Sequence, residues 1–123
     1  DDENTPRASS ELAVHRAIYR ATEEGAIVHA HPAHAVALSV ADTRARDMAG
    51  APVIGQSLEI VPGALAGEIA AALKDCHLVM VRGHGSFATG RSFDAALRLT
   101  LAFEEECRKL CNARGITPKR VEG

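Results

Sequence analysis

Apolar positions along this chain switch between a helical period and a strand period. Leu12, His15, Ile18 and Tyr19 recur at three- and four-residue spacing, which predicts a helix over 11–21 with those residues on its packed face. Ser9-Ser10 stand before the run as N-cap residues, Glu11 suits the first turn, and Gly25 suits the stop. The β-branched run over 26–31 predicts a short strand. Pro32 fits the first turn of a second helix over 33–41, with Ala35, Val36, Leu38 and Ser39 as packing positions. Residues 42–47 are a polar connection, 51–55 and 58–61 are short strands, and Pro62-Gly63 is a turn signal. Helical spacing returns over 65–74, with Leu65, Ile69, Ala72 and Leu73 on one side. Residues 77–82 form the clearest strand, Gly83-His84-Gly85 a turn, and 86–89 a returning strand. Ser92 caps the longest helix, over 93–113, whose stripe includes Leu97, Leu101, Cys107, Leu110 and Cys111. Gly115 stops it and Pro118 prevents its continuation.

The order is helix, strand, helix, strands, helix, hairpin, helix, joined by short connections that favour antiparallel neighbours. The predicted class is therefore α/β, with helices covering a mixed sheet. At 123 residues the chain is long enough for one domain with a real core. With 46% hydrophobic and only 3% aromatic residues, that core is built from Ala, Val, Leu and Ile.

Charge and cysteine usage narrow the function classes. A formal net charge of −2, with no basic stretch interleaved with aromatics, argues against nucleic-acid binding. No apolar stretch approaches the roughly 20 residues of a membrane span, so no membrane partner is expected. The acidic N-terminus, with no apolar run behind it, is not a secretory signal. The odd cysteine count, Cys76, Cys107 and Cys111, reads as reduced thiols in a cytoplasmic protein.

Candidate chemistry starts at Val28-His29-Ala30-His31-Pro32-Ala33-His34. On a strand, alternate side chains share a face, so His29 and His31 point the same way and can reach one metal ion. His84, set between two glycines after an apolar strand, is a third candidate ligand. Three imidazoles suit zinc and leave a fourth position open, the pattern of a catalytic rather than a structural site. His34 lies across the strand-to-helix corner and is a ligand, a supporting residue or a helix residue, the last two being favoured because the corner changes its direction. His15 reads as a packing histidine, and His77 as an ordinary residue opening a strand. Glu11 at a helix start is either dipole compensation or a proton carrier. Ser9 and Ser10 are either simple caps or part of an anion cradle suited to phosphate. Convergence of a metal, a carboxylate and a phosphate site implies polarisation of a carbonyl and proton movement on the adjacent carbon.

Ser9-Ser10-Glu11 with His15 and Tyr19, then the His29–His34 cluster, then Arg82-Gly83-His84-Gly85 with Gly90 and the long last helix, resemble the class II aldolase/adducin family. Within it the pattern is most similar to sugar-phosphate aldolases of the fuculose-1-phosphate type. The resemblance covers most of residues 5–112. It implies a three-layer fold, with a central, mostly antiparallel sheet between helices. It implies a zinc-dependent aldehyde-lyase that splits a ketose 1-phosphate into dihydroxyacetone phosphate and an aldehyde, with another divalent ion admissible. By the same resemblance His29, His31 and His84 are the metal ligands, Glu11 is the acid/base, and Ser9 and Ser10 hold phosphate. A homotetramer with sites between subunits is also implied.

The family pattern includes several strands ahead of the Ser-Ser-Glu motif, with Gly-Asn and Thr-x-x-Gly loops that contact phosphate. No counterpart is legible, so residues 1–123 are expected to form a single domain without them. The stretch over 54–61 is also short, and Tyr19, the sole tyrosine, matches a helix position rather than one that reaches a neighbouring subunit. Two related activities share the same residues: epimerisation of a pentose phosphate and dehydration of a thiosugar phosphate. The competing class is a non-catalytic interaction module of the adducin type.

Overall fold

A computed structural model describes residues 5–22, 25–55 and 62–118. Among these residues five strands form one sheet in the order β1-β5-β4-β3-β2. Helix α1 (Thr5–Ala21) leads into β1 (Ala26–Ala30), α2 (Ala33–Ala41), β2 (Asp47–Met48) and β3 (Ala51–Ile54). A 3₁₀ turn (Pro62–Leu65) runs into α3 (Ala66–Ala72), followed by β4 (Leu78–Val81), β5 (Gly85–Gly90) and α4 (Phe93–Arg114). Only β3 and β4 pair in parallel, and α3 lies on the crossover between them. The other three pairings are antiparallel, as expected of this α/β class.

The sheet separates two apolar layers. Val14, Ile18, Leu65, Ile69 and Leu73 from α1, the 3₁₀ turn and the α3 region pack with Val79, Val81 and Phe87. On the other face Ala35, Leu38, Phe103, Cys107 and Cys111 from α2 and α4 pack with Val28, Leu78, Met80 and Ala88. Alternation along β4 sends Leu78 and Met80 one way and Val79 and Val81 the other. Covered on both faces, β4 has no polar position, which is why it reads as a continuous apolar run.

Several helix boundaries and faces differ from the sequence reading. Helix α1 begins at Thr5, so Ser9 and Ser10 lie within helical backbone rather than capping it. Among its described side chains Val14 and Ile18 are buried, whereas Leu12 and Tyr19 are about half exposed. On α4, Leu101 is exposed while Ala96, Thr100 and Phe103 take the buried face with Cys107 and Cys111. Pro32 is the N-cap of α2, one position before its first turn. The turn expected at Pro62-Gly63 is a 3₁₀ turn, and the strand expected over 58–61 lies outside the described residues. The Ser92 hydroxyl accepts from the Ala95 amide, and Gly115 adopts a left-handed conformation at φ 69°, so α4 ends as read.

Two charged side chains from other elements hold the short helix α2. Its N-cap proline offers no capping oxygen. Glu104 of α4 supplies one: its carboxylate accepts the amides of His34 at 2.9 Å and Ala35 at 3.0 Å, and His34 Nδ1 at 2.7 Å. At the other end the buried guanidinium of Arg82 donates to the carbonyls of Ser39 at 2.8 Å, Asp42 at 2.6 Å and Gly55 at 2.8 Å, and to that of Ala45. Negative charge at the N-terminus and positive charge at the C-terminus both match the helix dipole. Burial pushes the Cys107 thiol up to about 12, with the Glu104 carboxylate adding to the effect.

Arg82→Met is expected to lower stability by about 3–5 kcal/mol, because one buried and three partly buried carbonyls lose a charged donor together. Glu104→Ala is expected to cost about 1–3 kcal/mol through the uncapped amides of α2. Urea unfolding of each variant measures both losses.

Candidate metal centre

His29 and His31 stand at the end of β1, on the face that α1 and α3 cover. Their rings meet edge to face, with centroids 4.7 Å apart and planes at 66°. His29 Nδ1 lies 3.1 Å from the Ser86 carbonyl, and His31 Nδ1 lies 2.9 Å from the His84 carbonyl. A carbonyl oxygen only accepts, so both Nδ1 atoms carry the proton. When such a ring is neutral its lone pair is on Nε2, the tautomer a metal-binding histidine needs. The backbone of the β4–β5 turn and of β5 thus orients both imidazoles.

That backbone depends on two glycines. Gly83 sits at φ 74°, a conformation that other residues strain to adopt, and the His84 amide closes the turn on the Val81 carbonyl at 2.9 Å. Gly85 has no room for a side chain: a Cβ there would stand 2.3 Å from the Ala30 carbonyl oxygen and 3.3 Å from His29 Cε1. The glycine therefore lets β5 approach β1 where the histidine projects. The turn is also tied to α2, since the Gly83 amide donates to Ser39 Oγ at 3.0 Å.

The donor set fits a divalent metal of borderline softness. The cysteines are not part of it. Cys107 and Cys111 are buried in the layer under α2 and α4, across the sheet from the histidines. Burial also raises the Cys76 thiol above its ordinary range. His29 and His31 are brought together, but among the described residues no three His, Cys, Asp or Glu side chains form a cluster that could hold an ion. His84 meets the pair through its carbonyl. The side chains of Ser9, Ser10 and Glu11 lie outside the described residues. The backbone does place position 11 one turn before His15, whose ring meets Phe87 edge-on at 6.3 Å. Position 11 is therefore on the helix face that looks toward the histidine pair's layer. His34 is committed elsewhere, to Glu104.

Sequence reasoning misses three residues around this corner. Phe87, fully buried, stacks on the His29 ring with centroids 4.2 Å apart and planes at 18°. Its signal is its register: Phe87 pairs with His29 across the β1–β5 ladder. Arg82 reads in the sequence only as one letter of a motif. Ser86 is fully buried, and its hydroxyl has no hydrogen-bond partner among the described residues. A cleft of about 750 Å3 opens at the far end of the sheet, floored by Leu78 and Phe103. It contains none of the three candidate ligands, so the chemistry rather than the cavity size locates the site.

The chain is a three-layer α/β protein with paired strand histidines beside a glycine-bounded turn. The sequence pattern of the Class II Aldolase and Adducin N-terminal domain matches residues 1–111, and the chain belongs to that family. Among solved structures it is similar to the L-fuculose-1-phosphate aldolase from Thermus thermophilus, with 32% identity and a TM-score of 0.67. The similarity covers 85% of this chain and 61% of that one, so this chain spans less than two thirds of its neighbour. No curated protein sequence matches significantly.

Gly85→Ala is expected to cost about 1–3 kcal/mol by overpacking the β1–β5 contact. Ser86→Ala is expected to be neutral or stabilising, because it removes a buried hydroxyl that lacks a partner among the described residues. Paired unfolding curves test both; a loss in Ser86→Ala matching that in Gly85→Ala would contradict this packing.

Proposed function

We propose that this protein is a metal-dependent aldolase acting on a ketose 1-phosphate, with zinc held by His29, His31 and His84. The observation that carries the reading is the pair of Nδ1 hydrogen bonds, which aims the lone pairs of His29 and His31 from one strand face. Family membership and the likeness to a fuculose-1-phosphate aldolase support the reaction class. A divalent ion bound there supplies Lewis-acid polarisation of a substrate carbonyl.

The chain's own groups do the rest in this reading. Glu11 moves the proton at the carbon beside that carbonyl, a task for a carboxylate held next to the substrate. Ser9 and Ser10 contribute hydroxyls to the phosphate. Because α1 already runs from Thr5, their amides are inside the helix, so the hydroxyls rather than an open helix end serve as donors. The carbonyls of Ser86 and His84 keep the two strand imidazoles in one tautomer throughout. The products are dihydroxyacetone phosphate and an aldehyde. Residues 1–123 act as one domain in a cytoplasmic homotetramer, and the exposed Leu12, Tyr19, Phe93 and Leu101 supply apolar surface for such assembly. No described helix is long and apolar enough to cross a membrane.

Protein purified without chelator should carry stoichiometric zinc or take it up on addition. Replacing His84 by Ala should remove metal and aldol cleavage together. Glu11→Gln should keep the metal and lose about 10²–10⁴-fold in rate. Identifying the products of a sugar-phosphate panel separates cleavage from epimerisation and from dehydration. Full activity in metal-free protein would refute the reading, and absence of any metal uptake would favour a non-catalytic module.

A further inference from the structure

Phe87 belongs to the α1–α3 layer and is fully buried, yet its contacts are not those of a simple core residue. One ring face lies nearly parallel to His29 at 4.2 Å, and His15 of α1 meets the same ring at 75°. His29 Nδ1 donates to the carbonyl of Ser86, the residue immediately before Phe87. That hydrogen bond fixes one ring atom but not the plane of the ring. A flat ring against one face does fix the plane, because rotation of His29 would drive it into Phe87. His15 in turn meets the clamp from α1, the helix that carries position 11.

We infer that Phe87 is a positioning residue for His29, holding the plane of that imidazole so that its Nδ1 stays on the Ser86 carbonyl that sets the tautomer, with His15 buttressing Phe87 from α1. An aliphatic residue of similar bulk fills the volume but offers no flat face. The chain His15–Phe87–His29 therefore couples the seat of α1 to the orientation of a strand histidine. The consequence for metal binding rests on reading His29 as a ligand; the consequence for ring orientation does not.

The test compares Phe87→Leu with Phe103→Leu, a buried phenylalanine on the opposite face of the sheet. In metal-free, ¹⁵N-labelled full-length protein, the imidazole correlations of His29 should show one Nδ1-protonated tautomer. Phe87→Leu should give mixed tautomers, whereas Phe103→Leu should not. Titration with Co²⁺ should show affinity falling about 10–100-fold in Phe87→Leu, with an altered d–d spectrum, and little change in Phe103→Leu. Phe87→Tyr should retain the single tautomer. His15→Leu should shift the same readouts in the same sense by less, and it decides the matter if Phe87→Leu does not fold. A single tautomer with wild-type Co²⁺ affinity in Phe87→Leu, or equal losses in Phe103→Leu, would overturn the inference. If wild-type protein takes up no Co²⁺, the metal reading fails, and the tautomer comparison alone supports or overturns the role of Phe87.

Discussion

The guanidinium of Arg82 is the point on which the surrounding structure depends. It is buried, and among the described residues its partners are backbone carbonyls. Removing a cation from water is costly, and here the cost is offset only because Nε and both terminal nitrogens donate to carbonyls. Those carbonyls come from the end of α2, the connection after it and the residue after β3. One side chain thereby ties three segments together. The next residue, Gly83, sits in the turn that presents the His84 carbonyl to His31.

Helix α2 shows why such ties are needed. Nine residues make a helix too short to stand alone in water. Glu104 satisfies its first amides and Arg82 its last carbonyls, so both ends are fixed by charges of the right sign. Because α2 follows His31 after a single proline, its seat also sets the direction in which β1 leaves the sheet. The histidine pair inherits its geometry from contacts across the sheet: the Ser86 carbonyl behind His29, the His84 carbonyl behind His31, and Phe87 against the His29 ring.

Much of this is legible in the sequence, where local chemistry and tertiary context agree. The bounds of α2, the β4–β5 hairpin and the ends of α4 follow from proline, glycine and serine at positions that need them. The shared face of His29 and His31 follows from strand alternation alone. What is not legible depends on partners distant in the chain. Leu12, Tyr19 and Leu101 fit a helical period yet are exposed, because periodicity does not say which of two adjacent stripes meets the sheet. Strand β2 has only two residues, and its turn uses Ala49 at φ 51° and Gly50 where an Asn-Gly pair would have signalled it. Glu104 looks like one acid in a run of three on α4, and only the fold shows that it caps another helix.

The central claim is that the orienting carbonyls make the strand histidines the core of an all-imidazole metal site. X-ray absorption at the zinc edge of the loaded protein tests it most directly. The account predicts nitrogen and oxygen as the only directly bound atoms, at about 2.0–2.1 Å, with the more distant scattering of three imidazoles. Sulfur near about 2.3 Å, or scattering from no imidazole, would contradict it.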